Sequence, residues 1–292
     1  MHRERQIQTQ GGSINVIDSG GSGSPIVLLH GSAASVAAFG RQFDSPLIQQ
    51  FRLIAFDLPG HGESANASDP ASAYSIQGLT RTTVEVLQGL GIARAVFFGW
   101  SLGGHIAIEL MAQTDLVAGL MLTGTPPIAP GLLGLLRGFH LSTDMLLTSK
   151  PAYTRADAER MVRLSFGDAH PPGMVDATLR SDGRLRAAVS KSFLHGHGMG
   201  DHRSAVQSAT VPIAFAEGQH DPFVRTGYAA SLDIPALWGR RIFTDAGHSP
   251  FWQSPETFNA LLQRFAVDVA TGYSRPASPD RAQQIPRQQA SR

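Results

Sequence analysis

Apolar residues along this chain gather into two kinds of run, and their alternation predicts the fold. Residues 25–29, 52–56, 95–98, 116–123 and 211–216 are short and almost continuously apolar, as expected of strands covered on both faces in a parallel sheet. Residues 76–90 and 104–111 instead space their apolar positions at helical intervals, and Gly91 is a natural helix stop. Residues 7–18 alternate apolar and polar positions around Gly11-Gly12, the pattern of a two-stranded hairpin. A last strand is expected at 241–243 and a last helix at 255–269. Strands alternating with helices predict an α/β fold, a doubly wound, mostly parallel sheet.

Between Thr125 and about Thr210 the pattern becomes helical without a convincing strand. The expectation is a helical cap, residues 126–209, inserted into a core formed by 1–125 and 210–270. Such a cap would lie over the carboxyl ends of the strands, where open α/β sheets place their ligands. Past Gly272 the chain is Ser, Pro, Gln and Arg with almost no apolar content, so 271–292 is expected to be a disordered tail. No internal repeat is visible.

Charge adds little to this picture and removes several functions. Lys and Arg number 24 against 23 Asp and Glu, so there is no electrostatic case for nucleic acid or an anionic membrane as partner. The polar start, Met1-His2-Arg3-Glu4-Arg5-Gln6, has no apolar signal segment behind it, and no later run is long enough to span a bilayer. A cytoplasmic protein acting on a small molecule is expected. The chain has no cysteine, which excludes disulfides, thiolate catalysis and thiolate metal ligands. No cofactor is expected.

The chemistry is carried by Gly99-Trp100-Ser101-Leu102-Gly103, which fits the G-x-S-x-G nucleophile elbow. The required context is there, a buried strand before it and an apolar helix after it. A serine hydroxyl is a weak nucleophile at neutral pH, so it needs a base and a third group to orient that base. Of 11 histidines, His248 follows the last strand and precedes the last helix, in Asp245-Ala246-Gly247-His248-Ser249-Pro250-Phe251. The chain order Ser, acid, His of this architecture then looks for a carboxylate at an intervening strand end. The loop after residue 123, Gly124-Thr125-Pro126-Pro127, has none. The loop after residue 216 offers Asp221 at its apex, whereas Glu217 lies too close to its strand and Asp245 caps its own turn. Two backbone donors are needed for an oxyanion. Leu102 N–H is one, and Ser32, following His30-Gly31, supplies the other, with His30 holding that loop. Gly31, Trp100 and Phe251 are assigned to the substrate wall, packing behind the pocket being the alternative for the two aromatic residues.

Together the elbow, His30-Gly31, Asp57-Leu58-Pro59-Gly60-His61-Gly62-Glu63-Ser64, Asp221-Pro222 and Ala246-Gly247-His248 resemble the α/β-hydrolase superfamily, from about Ile14 to Phe265. A serine at the elbow, where epoxide hydrolases and haloalkane dehalogenases carry aspartate, implies acyl transfer through a serine ester. Residues 98–106, Leu122-Thr123-Gly124-Thr125-Pro126-Pro127, Asp221-Pro222-Phe223-Val224 and residues 246–251 are similar to the metal-independent N-acyl-homoserine lactone hydrolases. That group opens the lactone ring of bacterial quorum-sensing signals. It carries a glutamate where Asp221 stands and an asparagine where Ser32 stands, and its cap matches this one less well. The resemblance implies a fold of α/β-hydrolase type and an acyl lactone or ester as substrate.

Three alternatives stay open: a general carboxylesterase, a carbon–carbon bond hydrolase, and a sensor that keeps the triad without turnover. The cap leucines, with Ile128, Phe139 and Met145, are candidates for an acyl tunnel, though most such residues hold a cap to its body. His195-Gly196-His197-Gly198-Met199-Gly200-Asp201-His202 is similar to the zinc signature of the metallo-lactonases. Its spacing is two residues too long and its place in the chain is wrong, so no catalytic metal is expected.

Overall fold

The computed structural model describes residues 2–272, and the tail expectation from residue 273 onward lies outside them. An eight-stranded sheet runs in the order β1-β2-β4-β3-β5-β6-β7-β8. Its strands are β1 (Arg3–Thr9), β2 (Gly12–Asp18), β3 (Ser24–Leu29), β4 (Phe51–Phe56), β5 (Ala95–Trp100), β6 (Val117–Thr123), β7 (Ile213–Gly218) and β8 (Leu237–Phe243). β1 and β2 pair antiparallel, β2 joins β4 antiparallel, and every other pairing is parallel.

The chain leaves β3 for β4 on one side and returns to β5 on the other, so β3 and β5 flank the point where the winding reverses. That is where open α/β sheets leave a crevice. All six residues of β5 are buried. Phe97 joins the apolar cluster on one face, which includes residues of α1 (Ile76–Gly89) and α2 (Leu102–Gln113). Val96, Phe98 and Trp100 join the cluster on the other. This alternation is the strand period read on a strand buried twice.

Two strand boundaries depart from the sequence reading, for one reason. β1 starts at Arg3 rather than 7, and β8 at Leu237 rather than 241. Both are edge strands that pair on one side and stay partly exposed, so Arg3, Glu4 and Arg241 are tolerated there, Arg240 pairs with Glu217, and no apolar run is left.

Between β6 and β7 lie α3 (Leu132–Gly138), a 3₁₀ turn (Thr143–Ser149), α4 (Arg155–Phe166), α5 (Met174–Arg180), α6 (Gly183–His195) and α7 (His202–Gln207), and α8 (Pro255–Ala270) is the last helix of the described residues. Asp182 ties this segment to the loop after β4. It caps α6 through Arg184 N–H, accepts the Tyr74 hydroxyl at 2.8 Å, and donates its own N–H to Gly60 O at 2.8 Å. The Arg184 guanidinium, against the opposing effect of burial, holds the Asp182 carboxyl down to about 2. A carboxylate held below its unfolded pKa stabilises the fold above that unfolded value and loses the contribution as pH falls to the folded one. Asp182→Asn is therefore expected to lower Tm at pH 7, with the gap to wild type closing as pH falls from about 4 towards 2. Calorimetry across that range checks it, and a gap independent of pH would refute it.

Candidate functional site

Ser101 sits between β5 and α2 with φ 54° and ψ −118°, a conformation that non-glycine residues rarely adopt. Such strain costs on the order of 1–3 kcal/mol and persists only where the surroundings impose it. Here they do. A side chain at Gly103 would put its Cβ 2.1 Å from Leu29 O, and one at Gly99 would meet Gly104 Cα at 2.5 Å. Ser101 N–H donates to Thr123 O at 2.9 Å, and the Thr125 hydroxyl donates to Ser101 O at 3.0 Å. Strand and helix can approach this closely only with glycine on both sides of the serine.

Ser101, Gly31, Ser32, Trp100, Leu102 and His248 all line one cavity of about 270 Å³. Leu102 is the first residue of α2, so its N–H has no acceptor within the helix and the positive end of the helix dipole faces the same space. The segment carrying Ser32 is held from several directions. Ala33 N–H donates to His61 Nε2 at 3.0 Å, and the Thr178 hydroxyl donates to Ala33 O at 2.8 Å. His30 accepts Leu58 N–H at Nε2 and donates from Nδ1 to Gly31 O. His61 likewise donates from Nδ1 to Pro59 O. Each ring uses one nitrogen as acceptor, which requires the neutral form. Burial lowers the pKa of both, with the neighbouring Asp57 carboxylate opposing this at His30. His30 thus sits in the loop's framework, outside the cavity lining.

His248 is buried and its Nδ1 meets Asp221 Oδ2 at 2.7 Å. The other oxygen of Asp221 accepts Phe223 N–H at 2.8 Å and Val224 N–H at 3.0 Å. With a proton on Nδ1 towards the carboxylate, His248 Nε2 is left bare. Trp100 Nε1 donates to His248 O at 3.0 Å, and the Phe223 ring packs edge-on against the imidazole with centroids 4.9 Å apart. Gly124, at φ 57°, lies so near the ring that a Cβ there would come within 2.5 Å of His248 Cε1. Its role as the seat of that ring was not legible in the sequence. Of the rejected acids, Glu217 pairs with Arg240 at 2.7 Å and Asp245 is exposed.

Phe251, expected in the substrate wall, does not line the cavity. It is fully buried among Phe39, Phe98, Trp100 and Phe258, because the short helix Pro250–Gln253 turns it onto the aromatic cluster behind Trp100. The candidate acyl-tunnel residues also divide. Leu135, Phe139 and Met145 line the cavity, Ile128 and Leu147 are buried, and Leu132, Leu133, Leu141 and Leu146 are exposed. Met161, Val189, Phe193, Leu194 and Phe223 complete the apolar wall, and of these only Phe223 belonged to a motif read from the sequence.

The histidine-rich segment does not converge on a metal. His195 and His197 are exposed, while His202 turns inward to Glu109 and His105. Among the described residues no group of three or more His, Asp or Glu side chains is arranged to hold a metal ion, and no helix is long and apolar enough to cross a membrane.

The sequence matches the alpha/beta hydrolase family over residues 26–261. Among solved structures, a serine-to-glycine mutant of the N-acyl homoserine lactonase AidH, complexed with N-hexanoyl homoserine lactone, is 38% identical with a TM-score of 0.88. That match covers 92% of this chain and 99% of the other. The esterase RhEst1 from Rhodococcus sp. ECU1013 is 25% identical with a TM-score of 0.72, covering 92% and 99%. Among curated proteins, the pimeloyl-[acyl-carrier protein] methyl ester esterase of Nitrosomonas europaea is 30% identical over 251 residues, 83% of this chain and 95% of the relative.

Proposed function

This chain belongs to the alpha/beta hydrolase family, and from that premise we propose that it is a serine hydrolase opening the lactone ring of N-acyl-homoserine lactones. The observation that carries the reading is one cavity lined by a strained serine, by a histidine whose far nitrogen is held by a buried carboxylate, and by an apolar wall. Likeness to a homoserine lactonase over nearly the whole chain favours the lactone as the ester attacked.

In this mechanism His248 Nε2 takes the Ser101 proton as Oγ attacks the ring carbonyl. The negative charge on the tetrahedral oxygen is met by the N–H groups of Leu102 and Ser32, donors fixed before the reaction begins. His248 then protonates the departing ring oxygen, which stays on the same molecule as a hydroxyl. Water, deprotonated by His248, releases N-acyl-homoserine from Ser101. Asp221 keeps the imidazole in the Nδ1–H tautomer throughout and stabilises it when charged. Residues 126–209 act as a cap whose Leu135, Phe139 and Met145 meet the acyl chain, and no metal or cofactor takes part. Gly31 and Trp100 form the wall beside the nucleophile.

The test is product analysis after incubation with acyl-homoserine lactones of several chain lengths. The expected product gains one water and regains the ring on acidification. Release of a free fatty acid would instead mean amide cleavage and would refute the reading. Similarity to a methyl ester esterase supports a second reading on the same machinery, a simple acyl ester as substrate. Higher kcat/KM on methyl esters than on every lactone would select it.

A further inference from the structure

His105 stands one helical turn after Ser101 on α2, and it lines the same cavity although it is almost fully buried. Residues four apart on a helix have their Cβ atoms about 6 Å apart, and helical side chains lean towards the N-terminus. The His105 ring therefore reaches back towards whatever flanks the reacting carbonyl. Its Nδ1 lies 3.0 Å from Nδ1 of His202, and His202 Nε2 lies 3.0 Å from Glu109 Oε2. The same Glu109 oxygen accepts Gly200 N–H at 2.8 Å, and the other accepts the Gln113 amide.

This chain fixes where the protons are. Burial raises the Glu109 pKa, but the hydrogen bonds from His202 and from Gly200 N–H outweigh it and leave the carboxyl below its usual range. A carboxylate can only accept, so His202 Nε2 carries a proton. One proton must also lie between the two Nδ1 atoms. Glu109 is already satisfied by neutral donors, and a second buried charge would cost desolvation with little return. The arrangement with fewest charges puts one proton on each ring, so the shared proton belongs to His105 Nδ1. His105 Nε2 is then bare, an acceptor on a residue that lines the cavity. Burial keeps the His105 pKa well below its ordinary value, so the acceptor persists at neutral pH.

We propose that His105 is a specificity residue: through Nε2 it accepts a hydrogen bond from an amide N–H on the carbon beside the reacting carbonyl. The cavity then selects α-acylamino lactones and esters over isosteres lacking that N–H. His202 and Glu109 act through His105, as positioning residues that set which nitrogen is bare. The inference rests on the hydrolytic reading for its substrate class, but it can be tested without turnover.

The probe is a matched pair, N-hexanoyl-homoserine lactone and the analogue in which ester oxygen replaces the amide N–H. Binding of each to the Ser101→Ala protein is measured by calorimetry, and ring opening of each by the wild-type enzyme is measured as kcat/KM. About a tenfold preference for the N–H compound is expected in both, the size of one net hydrogen bond. His105→Phe is expected to bring that ratio close to one, His105→Gln to keep part of it through the amide oxygen, and Glu109→Gln to reduce it by freeing the proton order. Equal binding of the two compounds to Ser101→Ala would overturn the inference, as would a ratio unchanged in either His105 variant. Failure of the hydrolytic reading looks different: the wild-type enzyme turns over neither compound, and the binding ratio still decides the role of His105.

Discussion

Ser101→Ala is expected to lower kcat for lactone opening by about a millionfold, the scale on which removal of a triad serine acts when base and orienting acid are left with nothing to activate. Fold should be retained. The strained φ of 54° at Ser101 is imposed by the close approach of Gly99, Gly103 and Gly104 to their neighbours and not by the hydroxyl. Alanine pays the same backbone strain, and the hydrogen bonds made by the backbone of this residue do not involve its side chain. A melting temperature close to wild type with loss of the acyl-enzyme mass adduct is the expected pair of results. Retained turnover in Ser101→Ala together with inactivation by chelator would move the chemistry to the histidine-rich segment and end the serine mechanism.

How much of this was legible in the sequence depends on whether a neighbour along the chain or one far away decides the outcome. The elbow was legible because the glycine–serine–glycine spacing is itself the steric requirement, Asp221 because it follows a buried strand recognisable by its apolar run, and His248 because it lies in the loop between the last strand and the last helix. The edge starts of β1 and β8 were not, since exposure removes the apolar signal. Phe251 was assigned to the cavity wall on adjacency to His248, but its direction is set by a four-residue helix whose turn the sequence does not fix. Which of the leucines between residues 132 and 147 line the cavity was not legible either. α3 has only seven residues, too few for periodicity to say which face meets the body. His105 and Glu109 did leave a trace, two polar groups four apart in the otherwise apolar stretch of residues 102–111. Their partner His202 is 97 residues beyond His105, and only the folded chain brings it there.

Asp221→Asn is the sharper test of the triad, because the surroundings dictate which way the new amide points. Asp221 Oδ1 accepts the N–H groups of Phe223 and Val224, and an asparagine must keep its oxygen there to satisfy both. The NH₂ group is then turned towards His248 Nδ1, 2.7 Å from the position of Oδ2. A donor facing Nδ1 forces that nitrogen to accept, and the single proton of the neutral ring moves to Nε2, the atom required bare to take the Ser101 proton. The expected result is a fall of about four orders of magnitude in kcat, with KM nearly unchanged because cavity shape is kept. Asp221→Ala leaves the tautomer free, so a fraction of the rings remains competent, and its loss should be no greater than that of the isosteric asparagine. If asparagine instead retains near wild-type kcat, the carboxylate is not the group that orients His248. A base held only by Phe223, Trp100 and Gly124 would then have to be explained by packing alone.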